Sequence, residues 1–320
     1  MLYCIYLLRI LGAILITNSH YEAIYPHAIF ANGGLLGDVL FFAVSGFCLY
    51  PIRKSFFSWY GRRLKRIYPL VWIITIVYLL LGFYQAGSLM GYVKLLLYPT
   101  YYHFVASILV LYLVYYPVAK LIASVGDAGN LWFRLVLTAL AAVYFALYFT
   151  VYDRSYYHID NVREPMIEFL YLFAMLAGLY FRRNQERYVG KTCSWAWVCA
   201  VGLFGAYFGS KLGFSRGLLS SQLQFINQVI LLGLLVCLFR GFIGLEDKLA
   251  GAPEKLRSGM KFLASFAFEI YLVQYALIPR LNLGPFPVNF VLTSTGIIVS
   301  ALVLHLVHDQ MMMRIEKLKH

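Results

Sequence analysis

Leu2–Tyr21 reads LYCIYLLRILGAILITNSHY, and this stretch decides the fold class. It is apolar and about twenty residues long, which is what one membrane crossing needs. Yet it carries Arg9 in its first half and closes on His20. On a continuous helix, eleven steps bring the two side chains to within about 20° of the same direction and about 16 Å apart along the axis. An arginine inside a span costs about 2.5–3.5 kcal/mol on insertion scales, so such a residue is a functional candidate by default. Each residue also has a plainer role. Arg9 can snorkel to the membrane surface, and His20 can serve as an interfacial residue at the helix end. A polar stripe shared by both, on an otherwise apolar helix, points instead to a cavity.

The rest of the chain agrees with a membrane protein. Of 320 residues, 62% are hydrophobic and only 13% charged, where soluble domains run near a quarter charged. The reading is an all-α, polytopic transmembrane bundle forming a single domain, 1–320. Aromatic residues reach 18% and suit interfacial belts. Ten spans can be drawn, at 3–20, 36–52, 67–83, 104–123, 131–151, 166–181, 194–210, 222–240, 262–279 and 288–308. Pro117 interrupts the fourth, and Glu269 sits in the ninth. With the N-terminus inside, the loops after spans two, six and eight and the tail carry eighteen Lys and Arg, and the outer segments six. That bias places both termini in the cytoplasm. It also accounts for the net charge of +13 without nucleic acid, and leaves basic surface for anionic lipids or an anionic cofactor. The first stretch lacks a basic leader and a small-residue cleavage site, so it reads as a retained span. The five cysteines form no CxxC, which argues against a disulfide framework and against a metal centre. There is no Gly-rich phosphate loop and no GxSxG.

Several stretches carry candidate chemistry. Gly37–Tyr50, GDVLFFAVSGFCLY, holds Asp38 near one end and the small pair Ser45–Gly46, which lets helices approach closely. Asp38 is either an acid at a helix N-terminus or a partner level with His20. The loop Ser58–Pro69, SWYGRRLKRIYP, clusters Arg62, Arg63 and Arg66. Arginine forks suit phosphates, although plain cytoplasmic anchoring accounts for them as well. In Phe266–Tyr275, FAFEIYLVQY, Glu269 is an intramembrane carboxylate, placed to pair with an arginine, to orient a histidine, or to stay as a structural group. His305 and His308 stand at i, i+3, with no further metal ligand in sight. Ser88–Tyr102, broken by Pro99, reads as an outer-surface or re-entrant piece. Tyr152–Pro165 is the most polar outer loop, with aromatics and acids that suit either a glycan or plain solvent.

Taken in order, Arg-x10-His, GDVLFFAVSGF, WYGRRLKRIYP and SFAFEIYLVQY resemble the acyltransferase 3 family of bacterial integral-membrane acyltransferases. The likeness is strongest over residues 9–70 and continues to about 308. It implies ten spans in a bacterial inner or plasma membrane, and O-acylation during polysaccharide biosynthesis. An acyl group, usually acetyl, would pass from cytoplasmic acyl-CoA to a hydroxyl of a cell-surface glycan or lipid-linked sugar. Acetyl-CoA is then a donor substrate, and no cofactor is held permanently. By the same resemblance His20 and Arg9 match the essential pair, and Arg62, Arg63 and Arg66 match the basic motif. The chain departs from the family pattern where Asp38 is shifted by one position and where Gln274 replaces a histidine near the C-terminus. Some relatives carry an added esterase-like domain; here transfer would be completed within the membrane domain or with a glycan-assembly partner.

The implied site has His20 as base, Arg9 and Glu269 as further catalytic candidates, and Arg62, Arg63, Arg66 and Ser45 binding the acyl-CoA. At about 16 Å below His20, Arg9 is too far to hold the oxyanion and belongs to the donor path or to an internal ion pair. Direct transfer and an acyl-histidine relay are both open. The rival classes are a transporter or flippase of a lipid-linked sugar, which would consume no CoA, and a non-catalytic scaffold, in which Arg9 and His20 are dispensable.

Overall fold

The computed structural model describes residues 1–98, 102–159, 161–281 and 283–317. Those residues form helices and connections, with no strand among them. In chain order the helices are α1 Tyr3–Ser19, α2 Gly34–Leu49, α3 Phe56–Leu80, α4 Leu89–Leu97, α5 His103–Ser124, α6 Gly129–Thr150 and α7 Met166–Arg183. They continue with α8 Gln185–Tyr188, α9 Ser194–Ser215, α10 Phe225–Gly244, α11 Glu246–Ala250, α12 Glu254–Ser265, α13 Ala267–Leu277 and α14 Val288–Lys317.

Every drawn span falls on a helix, but fewer than ten are long and apolar enough to cross a membrane. Six qualify among the described residues, and seven if the broken pair α12–α13 counts as one. α1 is apolar but only 17 residues long. α3 and α7 are long, but α3 carries Arg63, Lys65 and Arg66, and α7 carries Glu168, Arg182 and Arg183, within the eighteen residues that would have to cross. Three boundaries differ from expectation. The basic stretch after span two is no loop: α3 starts at Phe56 and runs through Arg62–Arg66 and Pro69 without a break. α5 likewise runs through Pro117. An apolar environment leaves the backbone no partner but itself, so a proline can cost one hydrogen bond without ending the helix. The third is the ninth span, which breaks at Phe266 instead of continuing from 262 to 279. Ser88 caps the short helix α4, its hydroxyl accepting from Gly91 N; the expected break at Pro99 lies outside the described residues.

The helices group into two compact units. The first comprises Met1–Gly12, Leu35–Arg53 and Leu111–Lys261, and the second Ala13–Gly34, Lys54–Val110 and Phe262–His320. In the first, α7 is buried along most of its length and packs against α2, α6 and α10. Gly46 and Gly178 make the α2–α7 contact possible. A Cβ on Gly46 would lie 2.0 Å from Met175 O, and one on Gly178 1.9 Å from Ala43 O. This is the close approach that the Ser45–Gly46 pair suggested, and the Tyr115 hydroxyl locks it by donating to Gly46 O at 2.7 Å. The start of α1 is tied by the buried Glu246, whose two oxygens accept from Tyr3 N and Cys4 N, both at 2.8 Å. A carboxylate there satisfies two open N–H groups and faces the positive end of the helix.

In the second unit, α3, α13 and α14 pack on one another. The Tyr78 hydroxyl of α3 donates to Val273 O of α13 at 2.8 Å. The Phe104 N–H donates to the Tyr271 hydroxyl at 3.2 Å. Thr17 at the end of α1 donates to the amide oxygen of the buried Gln274.

Candidate active site

The end of α1 is built from polar residues that compete with the helix for backbone partners. The Ser19 hydroxyl donates to Ile16 O at 2.8 Å, and Thr17 Oγ1 lies 2.8 Å from Ala13 O while its proton is directed at Gln274. Asn18 reaches out of the helix, donating to Phe30 O and Asn32 O. Such side-chain bonds favour helix ends, and α1 stops at Ser19. His20 therefore sits in a turn, its N–H donating to Thr17 O at 3.1 Å. Helical spacing from Arg9 holds to Ser19 and fails at the one residue that matters.

Released from the helix, His20 lines a pocket of about 330 Å³ with Phe83, Tyr84, Tyr275 and Arg280. Tyr275 meets the imidazole edge to face, with centroids 6.2 Å apart. Arg280 lies over the Phe83 ring at 4.4 Å and donates to Ala276 O and Phe83 O at 2.8 and 2.9 Å. Both acceptors are neutral, so these bonds hold the guanidinium in place without cancelling its charge. His20 is open to the pocket, yet the protein around it removes enough water to lower its pKa from the ordinary histidine value. The site thus pairs an imidazole with a fixed cation, between aromatic walls.

Glu269 is bonded to a histidine other than His20. It is 3% exposed, and its Oε1 lies 2.7 Å from His305 Nδ1 on α14. Gln274, where the family pattern has histidine, serves as the acceptor for Thr17 and so ties α13 to the turn that carries His20.

A family model described as an acyltransferase domain covers residues 2–307. The chain belongs to the acyltransferase 3 family. No curated protein and no solved structure matches it. It is a membrane acyltransferase, on the strength of that match and its membrane-length helices.

Within this acyltransferase the other expected residues are spread out. Arg9 lies half-buried on α1, in the first unit, while His20 belongs to the second. Ser45, also in the first unit, neighbours the Gly46 contact on α2. Asp38 accepts from the Tyr171 hydroxyl at 3.0 Å, again within the first unit. Arg62, Arg63 and Arg66 lie near the start of α3, in the second. Arg62 and Arg66 are exposed, and Arg63 lies 5.7 Å from the Trp59 ring centroid. Two contributors escaped sequence reasoning. Arg280 reads as one more outer-loop charge, and only its place after Pro279 at the end of an apolar segment marks it. His305 was weighed only as a metal ligand, because nothing in the chain announces a partner 36 residues away.

Proposed function

We propose that this protein is an acetyl-CoA-dependent O-acyltransferase. It moves an acyl group, acetyl first among them, from cytoplasmic acyl-CoA to a hydroxyl of a cell-surface polysaccharide or lipid-linked sugar. The observation that carries the reading is the His20 imidazole in a pocket with Arg280 and three aromatic side chains. A neutral imidazole can accept the proton of an attacking hydroxyl. Aromatic faces suit the apolar faces of a sugar ring, and a fixed guanidinium suits the negative charge that grows on a carbonyl oxygen under attack.

In this mechanism the acceptor hydroxyl gives its proton to His20 as its oxygen attacks the thioester carbonyl. Arg280 steadies the tetrahedral oxyanion. The C–S bond then breaks, and the imidazolium returns its proton to the departing thiolate. The exposed Arg62 and Arg66, with Arg63, bind the phosphates of the donor, and Arg9 and Ser45 are assigned to the same donor path. Glu269 acts through His305. Both termini face the cytoplasm in this scheme.

The test uses membranes holding wild type or His20→Gln, supplied with labelled acetyl-CoA and a glycan fraction. Wild type releases free thiol and labels the glycan, and His20→Gln does neither at a comparable rate. Equal thiol release by the two, at equal expression, would overturn the reading.

A further inference from the structure

A second group of reactive side chains lies at the break between α12 and α13, away from the His20 pocket. Ser265 is the last residue of α12 and is exposed. Phe266 leaves helical geometry, and α13 begins at Ala267 without a side-chain cap. Across from the break, His305 has its Nε2 3.5 Å from Ser265 Oγ and its Nδ1 2.7 Å from Glu269 Oε1. The carboxylate is buried and the serine is open. That is the order of a nucleophile, a base and the acid that orients the base.

With the Nδ1 proton directed at Glu269, the Nε2 lone pair faces the serine. Two further groups compete. At rest the Ser265 hydroxyl donates to Phe262 O at 2.7 Å, and the half-exposed Asp309 has Oδ2 3.5 Å from the same Nε2. His308 lies 3.5 Å from the other Asp309 oxygen. The 3.5 Å between Ser265 and His305 is loose, as nucleophile–base pairs often are without substrate. Because the same Oγ lies within reach of both, rotation of the hydroxyl proton about the Cβ–Oγ bond exchanges Phe262 O for Nε2. A structural ion pair would need Glu269 and His305 alone; it would not need an accessible hydroxyl on the far nitrogen.

We propose that Ser265, His305 and Glu269 form a serine acyl-transfer centre that takes an acyl group from a thioester. The thioester donor rests on the function proposed above. Ser265 Oγ attacks the carbonyl carbon as its proton passes to His305 Nε2. The new C–O bond forms, the C–S bond breaks, and the imidazolium protonates the leaving thiolate, so that a serine ester and a free thiol result. Glu269 is a positioning residue: it holds the tautomer and steadies the imidazolium. The first turn of α13, which has no side-chain cap, offers backbone N–H groups as donors for the oxyanion. α13 is 11 residues long, so about 16 Å of helix separates Ser265 at its start from the pocket residues at its end. The serine ester therefore forms as a step separate from hydroxyl activation at His20.

The experiment treats the purified full-length protein, in lipid nanodiscs, with a fluorophosphonate probe that reports an activated serine whatever the natural donor. Peptide mass spectrometry locates the label, and thiol release from acetyl-CoA is followed in parallel. Ser265 is labelled in wild type, about 100-fold more slowly in His305→Gln and about 10-fold more slowly in Glu269→Gln. Glu269→Asp recovers part of the rate, and the pH profile of labelling shifts in both Glu269 variants, which a purely structural role would not produce. Acetyl-CoA leaves an acetyl group on the Ser265 peptide. Absence of probe label on Ser265 in protein that releases thiol would overturn this proposal and leave the His20 mechanism standing. Unchanged thiol release by Ser265→Ala with no hydroxyl acceptor supplied, where the His20 step cannot turn over, would do the same. Label on Ser265 without any thiol release would keep the activated serine and sink the thioester donor.

Discussion

The two compact units put their unusual residues to opposite uses. In the first, the tightest features are backbone contacts. Gly46 and Gly178 bring α2 and α7 together with no room for a methyl group, and Glu246 spends its charge on the first N–H groups of α1. In the second, the ionisable groups meet open space. His20 and Arg280 face a pocket, and His305 joins a buried acid to an exposed serine. One unit uses its unusual residues for close packing, whereas the other keeps polar groups that packing alone would have no reason to retain.

The comparison predicts that substitutions at the packing contacts of the first unit lower the amount of folded protein, and that those at the His20 pocket of the second lower the activity. Gly178→Leu should have the largest effect. Its Cβ would enter the backbone of α2, which cannot yield as a side chain can, at a cost of about 3 kcal/mol or more. Size-exclusion chromatography in mild detergent should show little folded protein; a normal monodisperse peak would break the contrast.

His20→Gln comes next and should behave in the opposite way, with unchanged chromatography and acyl transfer reduced about 10²–10⁴-fold. The pH profile sharpens this. Burial lowers the His20 pKa, so the neutral base persists below the pH at which an ordinary histidine gains its proton. The rate should stay level down through about pH 6.5 and fall only as the pH drops through the lowered pKa. A decline already under way at neutral pH would assign the base elsewhere.

Arg280→Lys keeps the charge and loses the fork that grips Ala276 O and Phe83 O. A loss in kcat of about 10-fold or more, with little change in donor KM, would place it at the oxyanion. Glu246→Gln should have the smallest effect, about 1 kcal/mol of stability, read as a modest fall in unfolding temperature with activity per folded molecule unchanged. If Glu246→Gln instead abolished transfer, the division between the units would fail.

Much of this molecule was legible from residue order. Apolar runs of membrane length mark helices wherever they occur, because a backbone without water must bond to itself, and each drawn span lands on one. Small residues within such runs announced a close helix–helix approach at Gly46, which the structure gives to α7. The same reasoning failed at ends and breaks. It carried α1 one residue too far to His20, read Ser58–Pro69 as a loop, took Pro117 as an interruption, and joined α12 to α13. Local hydrogen bonds decide those positions, and their partners lie outside the window that periodicity reads.

The sequence by itself therefore determined the solvent, the helical class and the family, since these depend on composition and on short-range spacing. Only the tertiary structure decided what each polar group faces. It gave Glu269 to His305 instead of His20, and Gln274 to Thr17. It brought Arg280 to the His20 pocket and left Ser265 open at a helix break. The reason is physical: a charge or hydroxyl in an apolar protein takes its meaning from the group within about 3 Å of it, and here those partners lie as far as 273 positions away along the chain, as for the Tyr21 and Ser294 hydroxyls.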